Sequence, residues 1–286
     1  NGTLARGTST INIARNLQIG STGFFSGLAT TTFDGSGSYT WSDAKSSTSS
    51  SNAGYVVVDG TTRTVTLAGN VGAETVTIGA DDTLNASGSG YNINVYTDWT
   101  NNNAFIPQTG TVTFVGTSTA TINRGASSFN NLSFTGVGGN WSFSTSTLSL
   151  TGNLSIATGT VTLPTGTTTI AGSFSNTGGN FMHNNGEVRM TSTSGGRTIT
   201  QSGTAFLNAF YDLVFAGTGS WTFSEANATT TRNFRITAGT VTLASSTLTV
   251  GGDYSVTGSG AFAHKNGEVI LLVEDADDVR ANGSSF

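Results

Sequence analysis

The stretch TLSLTGNLSIATGTVTLPTGTTTI, residues 147–170, decides the fold. It holds four short segments in a row: Thr147–Leu150, Asn153–Ile156, Thr160–Leu163 and Thr167–Ile170. In each, apolar residues alternate with Ser, Thr or Asn, so one side of a strand is apolar and the other hydroxylated. Gly152, Gly159, Gly166 and Gly172 separate or follow the segments. A corner every six or seven residues is too frequent for the longer strands of a sandwich. It suits a triangular parallel β-solenoid, with three short sides per rung of about 20 residues. A single rung cannot bury its own inner face, whereas a stack of rungs buries a continuous one.

Working outward, residues 129–190 recur at 210–271 with an offset of 80 or 81. Phe129-Asn130-Asn131-Leu132-Ser133-Phe134 matches Phe210-Tyr211-Asp212-Leu213-Val214-Phe215. Trp141-Ser142-Phe143 matches Trp221-Thr222-Phe223, and Gly159–Leu163 matches Gly239–Leu243. FMHNNGEVRM at 181–190 matches FAHKNGEVIL at 262–271, and both resemble Phe105–Phe114. A weaker first copy places Phe33, Phe114, Met190 and Leu271 at one equivalent position, with Val65, Leu67, Val76, Ile78 and Leu84 as its strand residues. Residues 1–94 thus form a divergent first solenoid repeat and 95–286 its well-matched continuation. Each repeat is expected to hold about four rungs, and the 286 residues about 14. The fold class is all-β, a parallel β-solenoid, with β-sandwich domains as the alternative.

Composition agrees. There are 52 Thr, 39 Gly and 17 Phe but 2 Pro and no Cys. Branched and aromatic residues favour strands, Gly and Asn favour corners, and no segment carries a helical apolar stripe. With 9% charged residues, hydroxyls and amides wet the surface in place of ions. A net charge of −5 with scattered Lys and Arg excludes nucleic acid as the expected partner. No run approaches a membrane-spanning length.

The phrase Asp98-Trp99-Thr100-Asn101-Asn102, Phe105, Gly110-Thr111-Val112-Thr113-Phe114, Thr121-Ile122, Phe129-Asn130-Asn131-Leu132 and its later copies carry a resemblance. They resemble the repetitive Thr- and Gly-rich segments of large bacterial and archaeal cell-surface and adhesin-like proteins. The resemblance covers most of 95–286 and implies a secreted or surface-displayed stalk, adhesin or envelope-layer protein. The expected function is structural, in an extracellular assembly. Its partners are then further copies or neighbouring repeats. The alternatives are an adhesin or carbohydrate-binding protein with a glycan or cell-surface ligand, and less favourably a polysaccharide-active enzyme.

Chemistry is sparse in the sequence. His183 and His264 are repeat equivalents, as are Glu187 and Glu268, which argues for scaffold roles over a unique acid or base. Asp81-Asp82 reads as a local turn pair. Trp41, Trp99, Trp141 and Trp221 read as a core ladder, with an exposed sugar platform as the alternative. Asn101-Asn102-Asn103 and Asn184-Asn185 read as corners with stacked amides. Seven Asn-x-Ser/Thr sequons occur, at Asn1, Asn85, Asn131, Asn140, Asn153, Asn227 and Asn282. Residues 42–52 (SDAKSSTSSSN) carry the weakest strand signal and are expected to loop out.

Glu274, Asp275, Asp277 and Asp278 form the densest acidic run and replace the neutral Thr-Ser-Thr-Ser-Gly-Gly of the preceding copy. Hard cations take such oxygens, so calcium is the candidate cofactor there, with a solvated loop as the alternative. Melting with and without calcium decides between them. A bound ion raises Tm in calcium, and Asp275→Asn with Asp277→Asn abolishes the rise; a solvated loop gives no response.

Overall fold

The computed structural model describes all residues except 1, 2, 6, 22, 23, 27, 45–52, 203–207, 226, 273–278 and 281–286, with side chains left aside also at 3–5 and 24–26. The described residues form short strands and no helix, and the ladders are parallel. The expected β-solenoid is therefore the fold, and parallel pairing excludes sandwiches, whose sheets are antiparallel. The chain divides into two compact units, Asn1–Thr145 and Ser146–Phe286. Together they hold about 12 turns with a spacing of about 21 residues.

In the first unit one face stacks Ile11–Ile13, Thr30–Phe33, Tyr55–Val58, Thr75–Ile78, Trp99–Asn101, Thr119–Asn123 and Asn140–Phe143. A second face stacks Leu17–Ile19, Gly37–Asp43, Arg63–Leu67, Thr83–Asn85 and Ala104–Ile106. The third stacks Val71–Ala73, Ile93–Val95, Thr111–Phe114 and Asn131–Phe134. Contrary to the expected loop, Ser42 and Asp43 close one of these strands; Ala44 turns away from it, and 45–52 lie outside the described residues.

In the second unit a seven-stranded sheet runs Leu148–Leu150, Thr167–Ile170, Glu187–Met190, Asp212–Phe215, Phe234–Ile236, Tyr254–Val256 and Val279–Arg280. Another face carries Leu154–Ile156, Phe174–Asn176, Arg197–Gln201, Ser220–Phe223, Thr240–Thr242 and Ala261–Ala263. The remaining side has the pair Thr160–Thr162 and Asn180–Met182, then Asn227–Thr230, Thr247–Val250 and Glu268–Leu271.

Alternation sets what each strand buries. Thr111–Phe114, Thr167–Ile170 and Thr247–Val250 all follow the same half-exposed, buried pattern. Val65, Leu67, Val76, Ile78 and Leu84 point inward as the first repeat requires. Because the ladders are in register, inward residues stack on their own kind. Phe114 lies on Phe134 with ring centroids 5.4 Å apart, and Phe234 on Tyr254 at 5.7 Å. Trp41, Trp99, Trp141 and Trp221 are fully buried, so the core ladder stands and the sugar platform falls. None of the four indole N–H groups has a hydrogen-bond partner. They are held for their area and ring contacts.

Corners are built from side chains that accept the N–H of the next turn. Asn153 Oδ1 accepts from Ser173 N at 2.7 Å, and its repeat equivalent Asn233 accepts from Asp253 N at 3.0 Å. Asp98 accepts from Thr121 N, and Ser173 Oγ from Thr198 N. Asn101 donates to Arg124 O and to Ser127 Oγ, and Asn184 to Leu163 O, so the Asn runs are corners as expected. Gly159 and Gly239 share φ of 74°, a left-handed corner repeated with the scaffold.

On the third side, between Arg197–Gln201 and Asp212–Phe215, the described residues form no strand, only a parallel bridge from Phe210 to Thr230. Gln201 fills in for the missing ladder, accepting from Thr229 N and donating to Asn208 O and Thr229 O. Asn208 accepts from Phe181 N. Phe210 seals the turn, packed on Phe174 at 4.9 Å and Phe181 at 5.2 Å.

This side changes the repeat arithmetic. From Met190 to Leu271 the chain makes ten strand-to-strand steps plus the side closed by Phe210. That is three full turns and two sides, where whole rungs and about four of them were expected. Met190 therefore lies in the seven-stranded sheet and Leu271 in the three-stranded one. In the first unit Phe33 and Phe114 likewise fall on different faces. The total is below 14 turns because turns lengthen at such sites: Phe33 pairs with Val58 and Met190 with Phe215, each 25 residues on.

Phe210→Ala is expected to cost about 3–5 kcal/mol, read from the urea midpoint, because it opens a sealed cavity. Trp141→Phe should cost clearly less, since no indole hydrogen bond is lost.

Candidate functional site: a charged ladder in the second unit

The outward ranks of the seven-stranded sheet differ from the hydroxyl pattern elsewhere. Register places Thr169, Arg189, Val214, Arg235, Ser255 and Arg280 in one rank, and Thr167, Glu187 and Asp212 in the next. Arg189 Nε donates to Glu187 Oε1 at 2.8 Å, and Arg235 Nη2 to Glu187 Oε2 at 3.3 Å. Arg232 clamps Asp212 through Nε at 2.9 Å and through Nη2. Arg235 also lies 3.9 Å from Asp212. Two carboxylates thus join three guanidiniums across three turns.

The two signs sit at different depths. The Asp212 and Glu187 side chains are 5% and 17% exposed, whereas those of Arg189, Arg232 and Arg235 are 36–48% exposed. The acids lie low on the sheet and the guanidiniums project above them. Val214 points outward between Arg189 and Arg235 and is still 1% exposed. The arginine stems shelter it while their heads reach water. The doubly bonded carboxylate of Asp212 raises the pKa of Arg232 further above its ordinary value.

An aromatic stack borders the charges. Tyr211 lies under the Arg232 guanidinium, 4.5 Å from Cζ to ring centroid, and stacks on His183 at 5.2 Å and 25°. His183 Nδ1 accepts from Asn185 N, which ties the imidazole to its own corner. Burial lowers the His183 pKa, since the charged form loses solvation.

The residues singled out in the sequence are not brought together. Glu187 belongs to the ion network, whereas Glu268 edges the three-stranded sheet. His264, with Gly267, Glu268 and Val269, lines a surface cavity of about 360 Å³. Asp82 is fully buried and structural: its carboxylate accepts from Arg63 N at 2.8 Å and Gly60 N at 3.0 Å, and Asp81 accepts from Thr62 N. Glu274, Asp275, Asp277 and Asp278 lie outside the described residues. Among the described residues no group of three or more His, Cys, Asp or Glu could hold a metal ion, and no helix is long and apolar enough to cross a membrane.

Two features are not among the expectations from sequence. Arg63 heads a strand whose inward residues are Arg63, Val65 and Leu67, and its guanidinium lies buried over the Tyr39 ring at 5.4 Å without a hydrogen bond. Alternation alone flags it, because Arg occupies an apolar phase. The charged ladder joins residues 187 to 235, whose adjacency depends on turn lengths that sequence does not state.

No family model, no curated protein and no solved structure matches the chain.

The lowered pKa of His183 fixes a sign. The unfolded state binds a proton that the folded state resists, so stability falls as pH drops through the ordinary histidine range towards the folded pKa. The His183 ring proton, followed by NMR, should titrate below 6.5, and His183→Ala should remove this component of the acid dependence.

Proposed function

We propose that the chain is a structural module of an extracellular or cell-surface assembly, such as a stalk, filament or envelope layer, with no catalytic role. The observation that carries this reading is the stacking rule itself. Each turn presents the next with a parallel ladder edge and an inward apolar rank, so the module adds most naturally to more of the same. The strand Glu268–Leu271 illustrates such an edge. It pairs with Thr247–Val250 on one side, and its inward Val269 and Leu271 are half-exposed, whereas the equivalent Val188 and Met190 are buried under Asp212–Phe215. Hydroxyl-rich outward ranks without a dense charge are consistent with an exported, surface-displayed protein. The resemblance of 95–286 to repetitive segments of adhesin-like surface proteins supports the same reading.

A second reading, an adhesin or carbohydrate-binding surface protein, is favoured by the guanidinium layer of the second unit. The two are compatible, since a stalk can also adhere.

Electron microscopy of the purified protein tests the first reading. Filaments or a regular lattice are the expected outcome, and Val269→Lys should disperse them. Single particles the size of one chain at all concentrations would reject self-assembly.

A further inference from the structure

The charged ladder has a vertical order that ion pairing alone does not require. Its carboxylates are covered and its guanidiniums are outermost. A molecule approaching this face meets cations first, although the chain as a whole carries −5. The arginines also keep unused donors. Arg189 bonds through Nε only, which leaves both its terminal nitrogens free; Arg235 bonds through Nη2 only. A guanidinium edge with free N–H groups is a fork for one more carboxylate.

Spacing narrows the partner. Arg189 and Arg235 occupy the same rank two turns apart with Val214 between them, and Arg280 follows two turns further in the same rank. At the inter-strand distance the Cα atoms of this row recur about every 9.5 Å, and Arg189 and Arg235 each keep one nitrogen on the shared Glu187 carboxylate. Duplex DNA carries a charge per about 1.7 Å of axis, far denser than this row can match. A linear glycan that carries a carboxylate on alternate sugars fits better, because a pyranose is about as long as the gap between neighbouring strands. Val214 faces the sugar between Arg189 and Arg235, while Thr169 before Arg189 and Ser255 after Arg235 offer hydroxyls to the sugars on either side.

Size points the same way. The five strands from Thr167–Ile170 to Tyr254–Val256 cover about 19 Å along the stack, and the two outward ranks are about 7 Å apart. Such a strip falls well below the roughly 800 Å² per partner of a stable protein interface. It has the width of one polysaccharide chain.

We propose that this face of the second unit binds a linear acidic polysaccharide, with the free guanidinium edges of Arg189 and Arg235 taking carboxylates on alternate sugars. The site is independent of the assembly reading: single particles by microscopy leave it intact, and filaments do not establish it. It rests on the second reading and names that reading's ligand class.

Calorimetric titration of the whole protein with a defined hyaluronan oligosaccharide, which carries a carboxylate on alternate sugars, its methyl ester and a short DNA duplex tests it. The acid form should bind, weakening as salt rises, and the ester should not. Arg189→Gln with Arg235→Gln should weaken binding by about tenfold or more while the β-sheet circular dichroism is retained. In the unaltered protein, the Nε–H resonances of Arg189 and Arg235 should shift on adding the acid form, a readout that does not depend on how the variant folds. No binding of the acid form, equal binding of the ester, tighter binding of the duplex, or unchanged affinity in the folded double variant would each overturn the proposal.

Discussion

Each turn of the solenoid is held by the one beneath it, through a parallel backbone ladder whose register puts like side chains on like. Everything else in the two units follows from that constraint. Inward ranks must be apolar and of matching shape, because a side chain's main neighbours are the same position one turn earlier and later. Phe114 on Phe134 and Phe234 on Tyr254 show the result. The constraint also explains the corners. A corner residue cannot use the ladder, so Asn, Asp or Ser takes the N–H of the turn above, as Asn153, Asn233, Asp98 and Ser173 do. On the side marked by Phe210, where the described residues form no strand, Gln201 and Asn208 supply side-chain hydrogen bonds in place of a ladder.

The same rule divides the chemistry by face. Inward positions are fixed by packing, so variation accumulates outward. Hydroxyls suffice for most outward ranks, and they leave the surface wet without charge. The seven-stranded sheet departs from this, and its departure is organised: acids low, arginines high, with an aromatic stack of His183 and Tyr211 under Arg232 at one border. Of the buried polar groups elsewhere, Asp82 serves backbone N–H groups, whereas Arg63 lies over Tyr39 without a hydrogen bond.

Much of this is legible in the sequence alone. Short alternating segments between glycines specified the strands and which residues they bury, and the Trp and Asn runs announced core and corners. Those signals are local, and local signals survive because the inward phase has a period of two. What sequence could not supply is register between turns. Hydrogen bonds from one turn to the next span 19 to 28 residues, and each corner or insertion alters the count. The pairing of Glu187 with Asp212 and the approach of Arg235 to both therefore stayed hidden. So did the fractional repeat, which depends on a side marked only by Phe210. Arg63 was legible in principle, as a charge in an apolar phase, but its buried place over Tyr39 contradicts the usual preference of arginine for water.

The fractional repeat has a consequence for how such a chain evolves. Duplicating a unit of three turns and two sides copies its core but not its faces, since each outward residue of the new copy is turned to a different side. Three copies are needed before an ornament returns to the side where it began. Selection for a feature on one side thus acts on a single copy at a time, while selection for packing acts on all copies together. The pairs in the second unit bear the mark of this: Glu187 and Arg189 correspond to Glu268 and Ile270, and Arg232 and Arg235 to Gly152 and Ser155. Inward equivalents such as Trp141 and Trp221, or Val161 and Val241, are unchanged. A lineage built this way can conserve its interior by repetition and still try a new exterior with every duplication.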